Sequence, residues 1–254
     1  MLKNQVNIEE RSCESLKQFL HCVADEVPDH QQTVLLWRGQ SDASWGMDPS
    51  LARVWKDNPP GALNAEKSMF DDFSTAAPYL MPASVDNDWD KLSIAQHYGM
   101  NTRLLDWTVN PLQALWFALA EPHDCNAAVW LYRPDLEKDE IKPEGRSGHS
   151  PFEVKNTKVF QPARHSQRVA MQGAWHTVHR CETPLKGDRG LRGLDSVSNE
   201  HRKLLKKYII PREYGQDVFR QLESLGVSVT NVYGDLASLC RHLSVKFVPP
   251  QADR

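Results

Sequence analysis

The fold is decided by the stretch SIAQHYGMNTRLLDWTVNPLQALWFALAE, residues 93–121. After Asn110 and Pro111, an N-cap and first-turn pair, the residues are apolar on most sides and predict a central buried helix. The part before this helix is crowded with polar and aromatic side chains, namely Gln96, His97, Arg103, Asp106, Trp107 and Thr108. Buried polar groups must be hydrogen-bonded internally, and such groups are typical of functional sites. We therefore expect a site in this stretch.

Apolar spacing and turn residues predict the elements on either side. Residues 12–27 have the spacing of an amphipathic helix with Ser12 as N-cap. Residues 33–37 are an apolar run that predicts a buried strand ending at Arg38-Gly39. Residues 168–178 predict a strand interrupted at Gln172-Gly173. The other expected elements are helices 62–80 and 89–97, strand 127–132, a surface loop 133–150, a polar loop 182–198, helix 212–225, strand 227–233 and helix 235–243.

Helices and strands are mixed without a regular βα alternation, which predicts an α+β fold with a mixed sheet and packed helices. The sequence lacks the GxGxxG and GxxxxGK loops of doubly wound nucleotide-binding domains. A chain of 254 residues with 40% hydrophobic content is large enough for one domain with a sizeable core. We divide residues 1–254 into an N-terminal helical extension (1–30), a core (31–180), a loop (181–200) and a C-terminal helix-strand-helix unit (201–254).

The composition of the chain indicates its cellular compartment and the kinds of partner that it binds. The net charge of -3 and the pI near 6.4 give no overall basic field for nucleic acid or membranes. The five cysteines are odd in number and have no CxxC spacing, which favours a reducing compartment over a disulfide framework. The chain starts without a signal-peptide pattern, and no run has the length of a membrane helix. We expect a soluble cytoplasmic protein with no membrane partner.

Four blocks of the sequence resemble the FRG domain, a bacterial family named for an aromatic-Arg-Gly motif. The blocks are WRGQSDASW (37–45), PSLAR (49–53), AQHYGMNTRLLDWTVNPLQALWFA (95–118) and RVAMQGAWHTV (168–178), and the tail YIIPREYGQDVFRQLESLGVSVTNVYGDLASL is also similar. Trp37 stands in place of the Phe or Tyr of the family motif. The resemblance covers most of the chain.

The layout of these blocks is similar to that of a divergent ADP-ribosyltransferase. Trp37-Arg38-Gly39 matches the aromatic-Arg pair that ends the first strand in that superfamily. Residues 105–108, which lead into the helix ending at Ala118, resemble its Ser-Thr-Ser strand, with Thr108 supplying the hydroxyl. The third element is the strand 168–178, where Gln172 stands in place of the expected glutamate. The resemblance implies an ADP-ribosyltransferase-like fold and NAD as a substrate. We expect no metal.

Breaking the nicotinamide glycosidic bond of NAD passes through an oxocarbenium-like state, so the site must hold phosphates and stabilise positive charge. A planar arginine such as Arg38 would bind phosphate or ribose oxygens through several donors. Asp106 is the best-placed carboxylate to stabilise the sugar cation or act as a base, and Thr108 would orient the ribose. Gln172 would supply hydrogen bonds, and His97 would stack or carry a proton. The residues expected to contact NAD are Arg38, Gly39, Gln40, Arg53, Tyr98, Arg103 and Trp107.

Structural alternatives remain open for the same residues. Arg38 and Asp106 would also make a buried ion pair, and Arg103 has the same ambiguity. Thr108 would serve as a hydrogen-bonding group at a helix start, and His97 as a core histidine. Gln172-Gly173 would be a strand bulge. The tryptophans at positions 45, 107, 116 and 175 are most simply explained as core residues.

The predicted function is an NAD-dependent ADP-ribosyltransferase that acts as a toxin or antiviral effector on RNA, DNA or protein, with an antitoxin as a candidate partner. A basic face would favour nucleic acid, formed by Lys155, Lys158, Arg164, Arg168 and the run HRKLLKK at 201–207. One alternative is a nuclease or hydrolase that uses Arg38, His97 and Asp106 without NAD. Another is a non-catalytic module that binds a nucleotide or a protein. A metal site of His176, His179 and Cys181 is disfavoured by its spacing.

Overall fold

The computed structural model describes residues 7–27, 33–55, 59–81, 85–121, 124–146, 148–163, 171–180, 191–196 and 199–247. Within these ranges seven strands form one mixed sheet: β1 (Glu9–Ser12), β2 (Leu36–Gln40), β3 (Leu104–Thr108), β4 (Ala127–Tyr132), β5 (Lys158–Phe160), β6 (Ala174–Val178) and β7 (Leu205–Ile210). Their order across the sheet is β1-β7-β4-β2-β3-β6-β5. The β1–β7 pair is parallel and the other neighbours are antiparallel. The predicted α+β fold is confirmed.

Helices pack on this sheet and connect its strands. They are α1 (Leu16–Glu26), α2 (Ser50–Val54), α3 (Pro59–Ala76), α4 (Asp88–His97), α5 (Pro111–Leu119), α6 (Leu136–Asp139), α7 (Arg212–Ser224), α8 (Val229–Tyr233) and α9 (Leu236–Phe247). Short 3-10 turns cover Ala77–Tyr79, Pro143–Gly145, Pro151–Glu153 and Glu200–Leu204. None of the helices within the described ranges is long and apolar enough to cross a membrane.

Helix α5 begins where the sequence predicted. The side chain of Asn110 accepts hydrogen bonds from the main-chain N–H groups of Leu112 and Gln113, and Pro111 occupies the first turn. This cap satisfies donors that the first turn of a helix cannot pair internally. Ala114 and Leu115 of the helix are fully buried. The expected central helix is confirmed.

Strand β4 shows how the core is divided between the two faces of the sheet. Ala127, Val129 and Leu131 pack into a cluster with α1, α5, α7 and α8. The alternate residues of the strand, Ala128, Trp130 and Tyr132, pack into a second cluster with residues of β2, β3 and β6. Successive side chains of a strand point to opposite faces, so β4 is buried on both sides. The predicted strand 127–132 is confirmed with its bounds.

The N-terminal segment is part of this core, which corrects the expectation of a helical extension. Ser12 lies in β1, and the N-cap of α1 is Ser15, whose side chain accepts from the main-chain N–H of Gln18. The carboxylate of Glu26, at the end of α1, accepts hydrogen bonds from Tyr208 and Lys206 of β7. The parallel pairing of β1 with β7 could not be read from the sequence because it depends on a distant partner.

The strand before the Arg-Gly pair is shifted relative to the prediction for residues 33–37. Strand β2 continues through Arg38 and Gly39 to Gln40, and each of its residues pairs with β4. Arg38 is therefore the central residue of the strand. The predicted helix 62–80 is present as α3, which starts three residues earlier and ends at Ala76, where a 3-10 turn follows. The predicted helix 89–97 is present as α4.

The strand predicted over 168–178 is shorter in the structure. Strand β6 spans Ala174–Val178 and is preceded by a turn in which Gly173 has φ +51°, a conformation that favours glycine. Gln172 therefore lies before the strand, and residues 168–170 lie outside the described residues.

The two predicted loops differ as well. Residues 133–150 contain α6 and the buried Arg146, and only 191–196 of the loop 182–198 fall within the described residues.

The C-terminal prediction of helix-strand-helix is wrong in its order. The first element after residue 204 is strand β7, which was not predicted, and helix α7 follows it. Residues Val229–Tyr233 form helix α8 where a strand was predicted over 227–233. The β-branched residues there favour a strand locally. As a helix, however, Val229 and Val232 both reach the core, because residues three apart share a helix face.

Candidate functional site

The site lies where two strands in the middle of the sheet separate. Strands β2 and β3 are neighbours but share a single register pair, Trp37 opposite Thr108. Over the rest of β2 and β3 the two strands do not pair with each other, although β2 pairs fully with β4 and β3 pairs fully with β6. The separation is bridged by Arg38, whose Nη1 donates to the main-chain carbonyl of Asp106 at 2.8 Å. The sheet therefore contains an opening between β2 and β3.

A cleft of about 700 Å³ occupies this opening. We call it the main cleft. It is lined by residues of β2, β3 and α5, by the segment after β2, and by Gln172, and the charged residues among them are Arg38, Asp48, Arg53, Asp106 and Glu121. A smaller cavity of about 180 Å³ shares Arg38, Arg53 and Asp106 with the main cleft. Its other walls come from Ser50, from Gln96 and residues 99–101, and from Leu104 and Leu105. The size of the main cleft is that of a small-molecule or cofactor site.

Arg38 lines both cavities. Its only hydrogen bond within the described residues goes to the carbonyl of Asp106, and its buried Nε has no partner there. Burial lowers the pKa of Arg38, the nearby charge of Asp106 raises it, and the charge of Arg53 lowers it. The sequence left open a direct ion pair between Arg38 and the Asp106 carboxylate. In the structure Arg38 instead contacts the main-chain carbonyl of Asp106. Arg38 keeps donors for a ligand.

Arg53 is the second arginine at the cleft. It lies in α2, and its Nη1 donates to the main-chain carbonyl of Asp48 at 2.7 Å. Within the described residues, neither Arg53 nor Arg38 forms a salt bridge with a carboxylate. Two positive side chains that repel each other and line one cleft favour an anionic ligand.

Asp106 is the exposed residue of an otherwise buried strand. Its side chain is 62% exposed, and this area faces the two cavities that it lines. Its Oδ1 accepts from Gln96 Nε2 and lies 3.0 Å from His176 Nδ1. Burial within the walls of the cleft raises the pKa of Asp106, but the contact with His176 and the charge of Arg38 outweigh this effect and hold it at about 2. Asp106 is therefore a carboxylate at neutral pH.

Gly39 and Gln40 line the main cleft and also build it. A Cβ at Gly39 would lie 1.9 Å from the carbonyl oxygen of Ala114, so glycine lets α5 pack directly on β2 behind the opening. The amide of Gln40 donates to the carbonyl of Gly46 at 2.9 Å and accepts from Trp130 at 2.7 Å. These bonds fix the turn after β2 that forms one wall of the cleft.

Thr108 and Gln172 meet at the opposite end. The hydroxyl of Thr108 contacts the side chain of Gln113 and the main-chain carbonyl of Gln172, and it accepts from the N–H of Asn110. The side-chain amide of Gln172 donates to the carbonyl of Val232 at 3.0 Å. These bonds support the helix-start alternative for Thr108. Both residues line the main cleft, but their polar groups are engaged within the protein.

The other predicted contact residues divide between core and surface. Trp107 lines the cleft, is buried in the core and donates to Thr177 at 3.1 Å. Arg103 is 2% exposed and is paired with the fully buried Glu66 at 2.6 Å, outside both cavities. His97 and Tyr98 lie at the end of α4 and contact each other, and Tyr98 is 79% exposed. The structure does not bring Arg103, His97 or Tyr98 into the main cleft.

Several residues of the site were not predicted. Trp45, expected in the core, is 52% exposed and lines the main cleft, as do Asp48, Phe117 and Glu121. His176 was considered only as a metal ligand, yet it contacts Asp106. The sequence signal for Trp45 was its place in WRGQSDASW, close to Arg38. No such signal existed for His176, because its contact depends on the register between β3 and β6.

Part of the predicted basic face is engaged in ion pairs within the protein. In the run 201–207, Lys206 pairs with Glu9 and Glu26, and Lys207 pairs with Glu10 and packs on Trp130. Arg164 and Arg168 lie outside the described residues, as does Cys181. No group of three or more His, Cys, Asp or Glu side chains in the described part of the chain is arranged to hold a metal.

Fold and cleft together define an α+β protein whose candidate ligand site lies in an opening within its sheet. The family model of the FRG domain matches residues 33–127 of the chain, which supports the resemblance to that family. The matched range runs from just before β2 to the start of β4, so it includes Arg38, Arg53 and Asp106 but not Gln172 or His176. The chain matches no curated protein and no solved structure.

Proposed function

We propose that this protein is an NAD-dependent ADP-ribosyltransferase that modifies a macromolecule, RNA, DNA or protein, as a toxin or antiviral effector. The observation that carries the proposal is the placement of one ionised carboxylate, Asp106, beside Arg38 and Arg53 in a cleft of about 700 Å³. NAD needs both kinds of group. Its diphosphate requires donors with positive charge, and its reacting ribose develops positive charge as nicotinamide leaves.

The two arginines suit the diphosphate. Arg38 and Arg53 each donate to a main-chain carbonyl and have no carboxylate partner among the described residues. An anion between them would relieve their mutual repulsion and accept their remaining donors, so binding is favoured by both charge and hydrogen bonds. Trp45 and Phe117 add aromatic surface to the same cleft for the rings of the dinucleotide.

The properties of Asp106 fit electrostatic stabilisation of the ribosyl cation better than they fit proton transfer. A carboxylate whose pKa is held at about 2 is a weak base at neutral pH, since efficient general bases have a pKa near the working pH. A fixed negative charge, in contrast, stabilises an oxocarbenium-like state in a cleft from which water is partly excluded. We therefore assign Asp106 an electrostatic role at the sugar and place the nicotinamide riboside end of NAD beside it.

Two alternatives make different demands on the site. A nuclease that uses Arg38, His97 and Asp106 would need His97 in the cleft, where the structure does not place it. A non-catalytic nucleotide-binding module would use the same arginines without chemistry. The engagement of Gln172 with Val232, at the position where the resemblance implies a glutamate, favours that second candidate.

Incubation of the purified protein with NAD labelled in the ADP-ribose part, separately with RNA, DNA and lysate proteins, tests the proposal. We expect label on one acceptor class and release of nicotinamide. Asp106→Asn should lower nicotinamide release at least about 100-fold while NAD still binds, because only charge in the transition state is lost. Arg53→Ala should weaken NAD binding about 10-fold, the effect of losing a charged hydrogen bond.

Arg220→Ala is the matched control for the arginine variant, since Arg220 is exposed on α7 and pairs with Asp217. It should leave NAD binding unchanged. If the wild-type protein binds NAD without releasing nicotinamide, this result would contradict the transferase activity and support the non-catalytic binding module. Absence of NAD binding by the folded protein would overturn both.

A further inference from the structure

The carboxylate of Asp106 is held by a chain of buried side chains that starts on α4. The hydroxyl of Ser93 lies 2.8 Å from Nε2 of His176, and Nδ1 of the same ring lies 3.0 Å from Oδ1 of Asp106. Ser93 is 1% exposed and His176 is 5% exposed. Three elements, α4, β6 and β3, therefore meet at this carboxylate through one histidine ring.

The direction of each contact follows from the charge of Asp106. An ionised carboxylate only accepts hydrogen bonds, so the hydrogen between the two residues belongs to Nδ1 of His176. In the neutral ring, Nε2 is then an acceptor and the hydroxyl of Ser93 is its donor. Ser93 is too deeply buried to act as a nucleophile on a ligand in the cleft. Its contact instead selects the tautomer that serves Asp106.

A second arm holds the same oxygen. Gln96 Nε2 donates to Oδ1 of Asp106, and Gln96 Oε1 accepts from the hydroxyl of Thr102. Both arms end on Oδ1, and Oδ2 has no hydrogen-bond partner within the described residues. Because the side chain is 62% exposed to the cavities, Oδ2 is the oxygen available to a ligand.

The contact between His176 and Asp106 is close but not linear. The two atoms are within ion-pair distance, yet the ring N–H is not aligned well enough with Oδ1 for a full hydrogen bond. Such bonds at reactive groups are often poorly aligned in the unliganded protein and tighten when the ligand binds. The rings of Phe160 and His176 lie 5.2 Å apart, which limits the motion of the imidazole.

We propose that His176 is a positioning residue, with its tautomer set by Ser93, that turns Oδ2 of Asp106 toward the ribosyl carbon of the bound dinucleotide. The inference rests on the proposed function for the identity of what Asp106 faces. It assigns a role to a residue outside the range matched by the FRG family model. Loss of a residue that orients a functional group through a hydrogen bond typically costs about 10- to 100-fold in activity.

Two substitutions at His176 separate positioning from packing. His176→Leu removes the donor, and His176→Asn keeps an N–H donor close to the place of Nδ1. In single-turnover nicotinamide release, we expect the Leu variant to lose about 100-fold in rate and the Asn variant less than about 10-fold. The NAD dissociation constant should change less than about twofold in both, because the arginines are intact. His21→Leu, an exposed change on α1, is the matched control and should have wild-type kinetics.

Nuclear magnetic resonance supplies a readout that needs no turnover. We expect the ring ¹⁵N shifts of wild-type His176 to show the Nδ1–H tautomer, and Ser93→Ala to disturb it. The carboxyl ¹³C titration of Asp106 should shift to higher pH in His176→Leu. Burial still raises the pKa of Asp106 in this variant, but the contact with His176 that lowers it is lost. An Nε2–H tautomer in the wild type, or an unchanged release rate in a folded Leu variant, would overturn the inference. A wild type that never releases nicotinamide, but shows both resonance results, would overturn only the proposed function.

Discussion

The glycine of the Trp37-Arg38-Gly39 motif is needed for a steric reason. Its Cα faces the backbone of α5, where an added Cβ would lie 1.9 Å from the carbonyl oxygen of Ala114 and 2.7 Å from the N of Ala118. Real side chains do not come this close to backbone atoms, so any other residue must push the helix away. Since α5 also carries Phe117 into the cleft, the space at Gly39 sets the depth of the site.

Gly39→Ala should therefore destabilise the protein by about 3 kcal/mol, the scale of overpacking in a close-packed core. Urea unfolding followed by circular dichroism gives the free energy of unfolding for comparison with the wild type. Gly145→Ala is the matched control, because a Cβ at Gly145 meets nothing within 4 Å. Equal losses in the two variants would contradict the contact with α5.

His179, which lines neither cavity, gives the protein a pH dependence. It is fully buried, and its ring contacts Thr177 and the carbonyl of Arg192. Burial lowers the pKa of His179 from 6.5 to about 4. As pH falls, His179 binds a proton in the unfolded chain before it does so in the folded protein. The contribution of neutral His179 to the free energy of unfolding is therefore complete above about pH 6.5 and decreases toward pH 4.

The free energy of unfolding should consequently fall by about 3 kcal/mol between pH 7 and pH 4 through this residue alone. Urea unfolding of the wild type and of His179→Gln at several pH values measures the difference, since the variant has no proton to bind at this position. Parallel pH profiles for the two proteins would show that His179 is not the source of the dependence.

Between elements, α3 is tied to Arg103, the residue directly before β3, by a fully buried ion pair with Glu66. Both side-chain oxygens of Glu66 are used, because Oε1 accepts from the main-chain N–H of Arg103 and Oε2 from its guanidinium. The guanidinium also lies over the ring of Phe152 at 5.1 Å. The polar residues of the stretch 93–121 thus serve two purposes. Some, such as Asp106, line the cleft, whereas Arg103 holds α3 in place.

A double-mutant cycle tests this assignment. Arg103→Met and Glu66→Leu should each cost about 3–5 kcal/mol, because each leaves a buried charge without its partner. The double variant should be more stable than either single variant, since two apolar side chains replace a pair that was costly to desolvate. NAD binding by the folded double variant should be unchanged. A double variant that loses the sum of the single losses would contradict the coupling.

How far the sequence could predict the elements depends on whether the signal is local. Asn110 and Pro111 start α5 as expected because a cap and a first turn are made by neighbouring residues. Val229–Tyr233 form a helix against their local preference because tertiary packing decides the outcome. Strand β7 lacked a clear pattern because Lys206 and Lys207, next to each other in the chain, are both partly buried.

The same limit applies to the site. Arg38, Arg53 and Asp106 were predicted from motifs, and the structure brings them to shared cavities. His176 and Trp45 were not assigned to the site, since their positions depend on strand register and on the path of the turn after β2. His97 was predicted to stack on the ligand or carry a proton, but its neighbour Gln96 is the residue that reaches the carboxylate of Asp106.

For the molecule as a whole, the opening between β2 and β3 joins two halves of one sheet through a single register pair. One half contains β1, β7, β4 and β2, and the other contains β3, β6 and β5. Arg38 comes from the first half and Asp106 from the second, so a ligand that contacts both would tie the halves together. Ligand binding and the stability of the sheet are expected to be coupled.

Hydrogen exchange with and without NAD measures this coupling. At 100 times the dissociation constant, NAD should stabilise the folded protein by about 2.7 kcal/mol. Amides of β2 and β3 should gain protection, while those of α7 should gain only the global increase. Arg53→Ala at the same NAD concentration should show a smaller gain. Protection confined to regions away from β2 and β3 would contradict the location of the ligand.

The opening has a consequence for solubility. Unpaired strand edges normally template association with other chains, and proteins protect them by covering or charging them. Here the two unpaired edges face each other inside the molecule, with α5 packed behind β2 and the turn after Gln40 forming a wall. Residues of two central strands thus line a cleft of small-ligand size instead of forming an outer edge of the sheet.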